Sequence, residues 1–315
     1  METITCPLCA SSNSRLVFKR KDWVFQVSEE AFCVVRCHNC GLVYVNPRPA
    51  EEEIHDYYTE EFYDTTITGT DLLKRNAQQL QLKYRYVCDI APGKLLDIGC
   101  GKGDFLFYMQ QKGWQVRGMD FSSKPPNLFD LDIFYGDLAS ATYPPASFDL
   151  VTAWAVLEHV YRPLQMLKQA NQLLKPGGKI VVLVSNFDSL PAWFMRQDDV
   201  PRHTTLFTAR TLGEMLHRAG FAMDYVECNN GLYGGSNRGV LNYLVKLIAG
   251  EKIDDIVAMN RSRDRWHEFS NYLRGKPSDF MLKVDRLDLA LTPHLDHWLD
   301  KLRLGYIMIA QAVKK

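Results

Sequence analysis

The chain has 315 residues, of which 46% are hydrophobic and 23% charged, the composition of a soluble globular protein of one to three domains. Its 37 basic and 37 acidic residues balance, which disfavours a protein that grips many phosphates and hence nucleic-acid binding. The segment METITCPLCASS has no secretory signal pattern, and no run approaches the roughly 18 apolar residues of a membrane-spanning helix. These features predict a cytoplasmic protein whose eight cysteines are reduced.

Four of the cysteines form two Cys-x-x-Cys pairs near the N-terminus. Cys6 and Cys9 form one pair, and Cys37 and Cys40 form the other. Two such pairs complete a tetrahedral four-sulfur shell for a structural Zn²⁺ ion, which leaves no open position for catalysis. The segment between them contains WVFQV and FCVVR, which have the composition of short strands. The pattern predicts a zinc ribbon over residues 1–49, with unligated thiols or a redox pair as the alternatives.

Residues 50–92 are predicted to form a helical connector that also serves as a cover over a ligand bound by the next domain. Apolar residues recur at helical spacing from Asp71 to about Ile90, and a Pro-Gly pair follows. Tyr63, in the preceding aromatic segment YYTEEFYD, is a candidate cover for a cationic ligand, because aromatic faces attract cations. Packing of these aromatic side chains against the neighbouring sheet is the alternative.

Between residues 93 and 231, strand-like and helix-like segments alternate. The strand-like segments KLLDIG, WQVRGMD, FDLVTAW and KIVVLV are separated by helical patterns, as is typical of parallel strands in a doubly wound α/β sheet. Residues 232–303 contain helical stretches instead, and a strand returns in GYIMIAQAV. We therefore expect an α/β domain made of residues 93–231 and 304–315, with a helical insert at 232–303.

The stretch LLDIGCGKGDF combines a carboxylate with three alternating glycines. Asp97 precedes Gly99, Gly101 and Gly103, whereas a dinucleotide-binding turn has the spacing Gly-x-Gly-x-x-Gly. Glycines at the end of a strand let a ligand approach the backbone closely. A buried carboxylate suits a cation better than a pyrophosphate. The turn therefore predicts a site for S-adenosyl-L-methionine, which carries a sulfonium and an ammonium group and no phosphate.

Two further acidic residues follow later strands of the predicted sheet. Asp120 closes WQVRGMD, where a carboxylate can accept hydrogen bonds from both ribose hydroxyls. Asp137, in YGDL, is a candidate acceptor for the adenine amino group. A plain turn residue is the alternative for Asp137.

As an ordered set, several motifs resemble those of class I S-adenosylmethionine-dependent methyltransferases. They are LLDIGCGKGDF, Asp120, YGDL, FDLVTAWAVLEHV and LLKPGGKIVVLV. The resemblance implies a Rossmann-like sheet of seven strands whose last strand is antiparallel. The N-terminal CPLC…RCHNCGLVYVNPRP followed by YYTEEFYD is similar to zinc-ribbon methyltransferases of sugar, polysaccharide and secondary-metabolite pathways. That similarity implies a small-molecule or sugar acceptor, and the apolar run from Val240 to Ile248 in the insert adds a lipid-linked acceptor as a candidate.

Two histidines are candidate general bases for methyl transfer to a hydroxyl group. His203 lies in PRHTTLFT, beside Arg202, which we expect to hold an anionic group of the substrate. His159 lies in VLEHV, near the end of the strand that meets the methionine part of the cofactor. A positioned base accelerates such a step by roughly 10²–10⁴. Packing at a helix start for His159, and a backbone hydrogen bond for His203, are the alternatives.

The sequence thus predicts O-methylation of a small molecule or glycan. An RNA methyltransferase that uses the ribbon to bind nucleic acid is one alternative, which the balanced charge and the lack of an Asn/Asp-Pro-Pro-Tyr/Phe motif disfavour. A non-catalytic module that binds the cofactor and assembles with partners is another. The insert at 232–303 is expected to form a lid, a homodimer contact or a contact with a membrane surface.

Overall fold

The structure is a computed structural model that describes residues 1–22, 24–59, 66–122, 125–190, 192, 199–232, 240–248 and 279–315. Its strands are β1 (Ser14–Lys21), β2 (Ala31–Cys37), β3 (Val43–Val45), β4 (Lys94–Ile98), β5 (Gln115–Asp120), β6 (Ile133–Tyr135), β7 (Phe148–Trp154), β8 (Leu174–Ser185), β9 (Thr205–Leu206), β10 (Phe221–Cys228) and β11 (Ile307–Lys314). Its α-helices are α1 (Gly69–Tyr84), α2 (Asp104–Gln110), α3 (Pro163–Leu173), α4 (Ala209–Arg218), α5 (Val240–Ile248) and α6 (Asp279–Lys301).

Seven strands form one twisted sheet in the order β10-β11-β8-β7-β4-β5-β6. Neighbouring strands are parallel except β11, which runs antiparallel to both β8 and β10. The predicted α/β class and the antiparallel last strand are confirmed. The strand order reverses at β4, which lies between β5 and β7, and open α/β sheets bind ligands at such a point.

The central strands are covered on both faces. Leu96 and Ile98 of β4 pack into one apolar cluster, which includes side chains of α3, α4 and the N-terminal segment. Leu95 points to the opposite face and packs with side chains of α1 and α2. A strand that is buried on both faces reads as a continuous apolar run, which explains the composition of KIVVLV in β8.

The described parts of the predicted insert are helical. Helix α6 lies against α5 and β10, and the backbone amide of Leu241 donates a 3.0 Å hydrogen bond to Oδ1 of Asp288. Residues 233–239 and 249–278 of the insert lie outside the described residues. Within the described helices, none has both the length and the apolarity needed to cross a bilayer.

The N-terminal ribbon is a four-stranded sheet that the predicted segment 1–49 does not complete by itself. Its order is β1-β2-β3-β9, so the fourth strand comes from residues 205–206. In this antiparallel pair, Val43 lies opposite Leu206 and Tyr44 opposite Thr205. The ribbon therefore shares its sheet with the segment that follows His203.

The four ribbon cysteines form one cluster. The Sγ atoms of Cys6 and Cys40 are 3.4 Å apart, those of Cys9 and Cys37 are 3.5 Å apart, and all four lie within 4.8 Å of one another as free thiols. A tetrahedral zinc site with bonds of about 2.3 Å has sulfur–sulfur distances of about 3.8 Å. The donor set and its spacing thus fit the predicted zinc ion, which these four residues would hold.

Arg202 lies at the centre of an ion-pair cluster between the ribbon and the loop before β9, in which Arg202 and Asp22 are fully buried and Asp199 is mostly buried. Its guanidinium donates to both carboxylate oxygens of Asp22, at 3.1 and 2.7 Å, and to Oδ1 of Asp199, at 3.0 and 2.6 Å. A further bond of 2.8 Å reaches the backbone oxygen of Tyr57. All five N–H donors of the guanidinium are used. The expectation that Arg202 holds an anionic group of the substrate is therefore wrong, because the side chain is buried and has no donor left.

We expect replacement of Cys37 by serine to remove the ribbon metal. Elemental analysis of purified protein should find about one zinc per chain in the wild type and a large loss in Cys37→Ser, because a structural site needs all four ligands. Cys33→Ser, outside the cluster, is the control and should keep the metal. Wild-type protein that is free of metal, with the same melting curve before and after added zinc, would contradict the assignment.

Arg202→Met should destabilise the protein by about 3–5 kcal/mol, because it leaves the buried carboxylates of Asp22 and Asp199 uncompensated. The matched control is Arg162→Met, which removes an exposed ion pair with Glu51 and should cost less than about 1 kcal/mol. Urea unfolding of both variants measures the difference. Equal losses in the two variants would show that the buried cluster contributes no more than a surface pair.

Candidate active site at the carboxyl edge of the sheet

The glycine turn directly follows β4. Gly99, Gly101 and Gly103 all have positive φ angles, of 70°, 55° and 83°, a conformation that favours glycine. A Cβ atom at Gly99 would collide with the side chain of Val156, whereas the same position at Gly101 meets no atom within 4 Å. Close packing thus requires glycine at position 99, and Gly101 leaves its backbone accessible from open space.

Asp120 ends β5 beside this turn. Its Oδ2 accepts a 2.8 Å hydrogen bond from the backbone amide of Gly101, and its Oδ1 accepts a 3.0 Å bond from that of Ser122. Burial raises the pKa of Asp120, although these backbone amides favour the charged form. Each carboxylate oxygen has a second lone pair, so the side chain can still accept hydrogen bonds from a ligand.

Asp97 lies in β4 at the base of the same edge and is almost fully buried. Thr152 of β7 donates a 2.6 Å hydrogen bond to its Oδ1. Burial raises the pKa of Asp97 to about 7, although the bond from Thr152 and the positive charge of Lys83 both oppose the shift. A nearby cation would therefore stabilise the ionised form of this carboxylate.

A cleft of about 290 Å³ opens between α1 and the glycine turn. Its lining combines side chains of α1 with the turn and the end of β7, and includes Asn76, Lys83, Asp97, Gly101 and Trp154. The Nζ atom of Lys83 lies 5.3 Å from the ring centroid of Trp154. The cleft thus presents a carboxylate, an ammonium group and bare backbone to one volume near the lower end of the size range of ligand pockets.

For two other predicted cofactor residues, Asp137 and Tyr63, the contact with the cofactor is not tested. Asp137 is exposed, and its Oδ1 accepts a 3.2 Å hydrogen bond from the backbone amide of Ala139, so it caps the short 3₁₀ turn Leu138–Ser140. Its contact with adenine stays a prediction. Tyr63 lies outside the described residues, and its contact with the cofactor stays a prediction as well.

The structure brings His159 and His203 together. Their ring centroids are 4.6 Å apart, and the rings are nearly perpendicular, at 81°. Nδ1 of His203 lies 3.4 Å from Oγ of Ser185, at the end of β8, and Nδ1 of His159 lies 3.0 Å from the hydroxyl of Tyr58. Both imidazoles therefore lie at the carboxyl ends of the central strands, close to polar side chains.

Glu158 completes this polar group. Its Oε1 accepts a 3.2 Å hydrogen bond from the amide of Ser185, and Oε2 is buried without a hydrogen-bond partner among the described residues. Burial raises the pKa of Glu158 to about 7. Ligating atoms of Glu158, His159 and His203 all lie within 4.8 Å of one another. Such a set can share a proton among its members or bind a cation.

Two members of the site were not predicted from the sequence. Glu158 is adjacent to His159, but the sequence pattern does not mark it as a site residue. Its burial, and its hydrogen bond with Ser185 at the end of β8, are contacts that only the fold creates. Lys83 stands where α1 turns its apolar residues Leu72 and Leu80 to the sheet. A lysine on the apolar side of a helix is a signal in the sequence for such a residue, since long cationic side chains are rarely buried without a partner.

Comparison with known proteins gives curated relatives that match part of the chain. The ubiquinone biosynthesis O-methyltransferase of Azoarcus sp. (strain BH72) is 36% identical over 103 residues, which cover 30% of this chain and 44% of the relative. The enzyme of the same name from Ralstonia nicotianae is 29% identical over 147 residues, which cover 44% and 61%. The chain thus spans about half the length of the curated relatives it matches.

Similar solved structures include an S-adenosylmethionine-dependent methyltransferase from Archaeoglobus fulgidus, 21% identical, with a TM-score of 0.46 and coverage of 76% of this chain and 94% of the other. The family model described as a methyltransferase domain matches residues 69–226, half of the 315 residues. The chain therefore belongs to the methyltransferase domain family, as the resemblance of its motifs to class I S-adenosylmethionine-dependent methyltransferases predicted.

Proposed function

We propose that this chain transfers a methyl group from S-adenosyl-L-methionine to a hydroxyl group of a small-molecule or glycan acceptor, with His203 as the base. The supporting observation is that the loop of residues 155–159 contacts both the glycine turn and His203. Val156 packs against Gly99 of the turn that borders the cleft, and His159, three positions later, contacts His203. One short loop thus joins the cofactor cleft to the pair of imidazoles. The name of the curated relatives supports oxygen as the acceptor atom.

The chemistry of the cleft fits this cofactor, which supplies an electrophilic methyl group when it is bound. Asp97 offers a carboxylate to the cationic end, and Lys83 offers a positive charge to the methionine carboxylate. Asp120 has lone pairs left for the ribose hydroxyls. Asp137 and Tyr63 remain the proposed contacts to the adenine and to the cationic end.

Methylation of a hydroxyl group releases one proton, which a nitrogen of His203 would accept. The neighbouring Asp199 supports this role. Burial alone would raise the pKa of Asp199, but the positive charges at His203 and Arg202 hold it below its ordinary value. A charged carboxylate thus lies close to the imidazole that would take up the released proton. Burial lowers the pKa of His159, so this neutral imidazole is the second candidate base.

Asp120→Ala should weaken binding of S-adenosyl-L-methionine at least tenfold, or about 1.4 kcal/mol, because it removes the acceptor of the ribose hydroxyls. Isothermal titration calorimetry with the cofactor and with its demethylated product measures the effect. Asp132→Ala, which removes an exposed carboxylate paired with Arg117, is the control and should bind normally. Unchanged affinity in Asp120→Ala, or tight binding of NADH by the wild type, would contradict the assignment of the cleft.

His203→Gln should reduce methyl transfer about a hundredfold, within the range expected for loss of a general base, and leave cofactor affinity unchanged. Transfer of a labelled methyl group to a panel of phenols and sugars measures the rate. His217→Gln, on the exposed side of α4, is the control, and His159→Gln tests the second candidate.

Three outcomes would change this proposal. Normal turnover in His203→Gln with a loss in His159→Gln would move the role of base to His159. Label that enters RNA and none of the small acceptors would favour the nucleic-acid alternative. Tight cofactor binding without transfer to any acceptor would favour a non-catalytic module.

A further inference from the structure

Helix α6 has an exposed apolar stripe along one side. Leu287, Leu291, Trp298 and Leu302 are 55%, 46%, 63% and 64% exposed. They follow one another at intervals of four, seven and four positions, so that they share one face of the helix. The backbone amide of Leu302 still donates a 3.0 Å bond to Trp298, which extends the helical turn to the last member. We call this surface the α6 stripe.

Basic side chains border the α6 stripe along one side. With about 100° between successive residues, the helix places five exposed residues there: Lys283, Arg286, His294, His297 and Lys301. The Nζ atom of Lys301 lies 5.5 Å from the ring centroid of Trp298. The stripe and its border thus combine large apolar groups, an aromatic ring and positive charge on one exposed side.

Three aspartates of α6 are turned to the body of the protein. Asp288 accepts the amide of Leu241, Asp300 accepts the amide of Asn230, and Asp296 accepts the side-chain amide of Asn230. These three carboxylates therefore attach α6 to α5 and to the loop after β10, and none of the three belongs to the basic border.

We propose that the α6 stripe binds the surface of an anionic lipid bilayer. An apolar face with tryptophan and a basic border is the arrangement of helices that lie in the interface plane of membranes with anionic headgroups. A second copy of the chain is a poorer occupant, because the same face of that copy would bring a second row of basic groups against the basic border. Since α6 is not a spanning helix, the contact is with the surface. The proposal does not depend on the methyl-transfer reaction.

The test is co-sedimentation of the full chain with lipid vesicles. The wild type should bind vesicles of phosphatidylglycerol and phosphatidylcholine in low salt and lose most of that binding in high salt or with pure phosphatidylcholine. Trp298→Ser combined with Leu302→Ser should reduce the bound fraction at least tenfold. Leu289→Ser is the matched control, because Leu289 is 56% exposed but lies on the opposite side of the helix, and it should bind as the wild type does.

Lys283→Glu combined with Lys301→Glu keeps the test valid if the apolar variant fails to fold, because both lysines are exposed, and it too should lose binding. Wild-type protein that stays in solution with anionic vesicles would overturn the proposal, as would equal binding by the stripe variant and the Leu289→Ser control. A concentration-dependent dimer that the stripe variant abolishes, without vesicle binding by the wild type, would also overturn it and assign the stripe to a second copy.

Discussion

The ion-pair cluster around Arg202 holds the loop that carries His203 against the N-terminal ribbon. Removing three charged groups from water is costly, and the cost is offset only when the geometry satisfies every donor. Here all five guanidinium donors are satisfied, by Asp22 of the ribbon, Asp199 and the oxygen of Tyr57. Since His203 is the next residue, its position is determined by a contact that tolerates little displacement.

The parallel sheet accounts for the convergence of the other groups. The carboxyl ends of β4, β5, β7 and β8 meet at one edge, and each contributes a polar residue there or in the loop that follows. Asp97 and Glu158 share a further property, because burial raises the pKa of each to about 7. Both carboxylates therefore respond to a charge placed next to them, one beside the cofactor cleft and one beside the imidazoles.

Local patterns predicted the framework of the site, and contacts between distant segments determined the rest. The glycine turn after β4 can be predicted from the sequence, because its positive φ angles and the close approach of Val156 require glycines within five consecutive residues. Arg202 was misread, because its partner Asp22 lies 180 positions away and nothing in PRHTTLFT indicates burial. For Asp137, local sequence predicts a turn residue and a ligand contact equally well, since one carboxylate can cap a turn and bind a ligand from the same position.

The pairing of β3 with β9 also bears on how the chain is made. The strand β9, which completes the sheet of the ribbon, is synthesised some 160 residues after β3. Until Thr205 and Leu206 emerge, β3 presents an unpaired edge, which is a template for pairing with other chains. All four ribbon cysteines lie within the first 40 residues, so the ligands of the predicted zinc ion are synthesised long before the strand that completes the sheet. A ribbon expressed alone would keep all four cysteines and also that open edge.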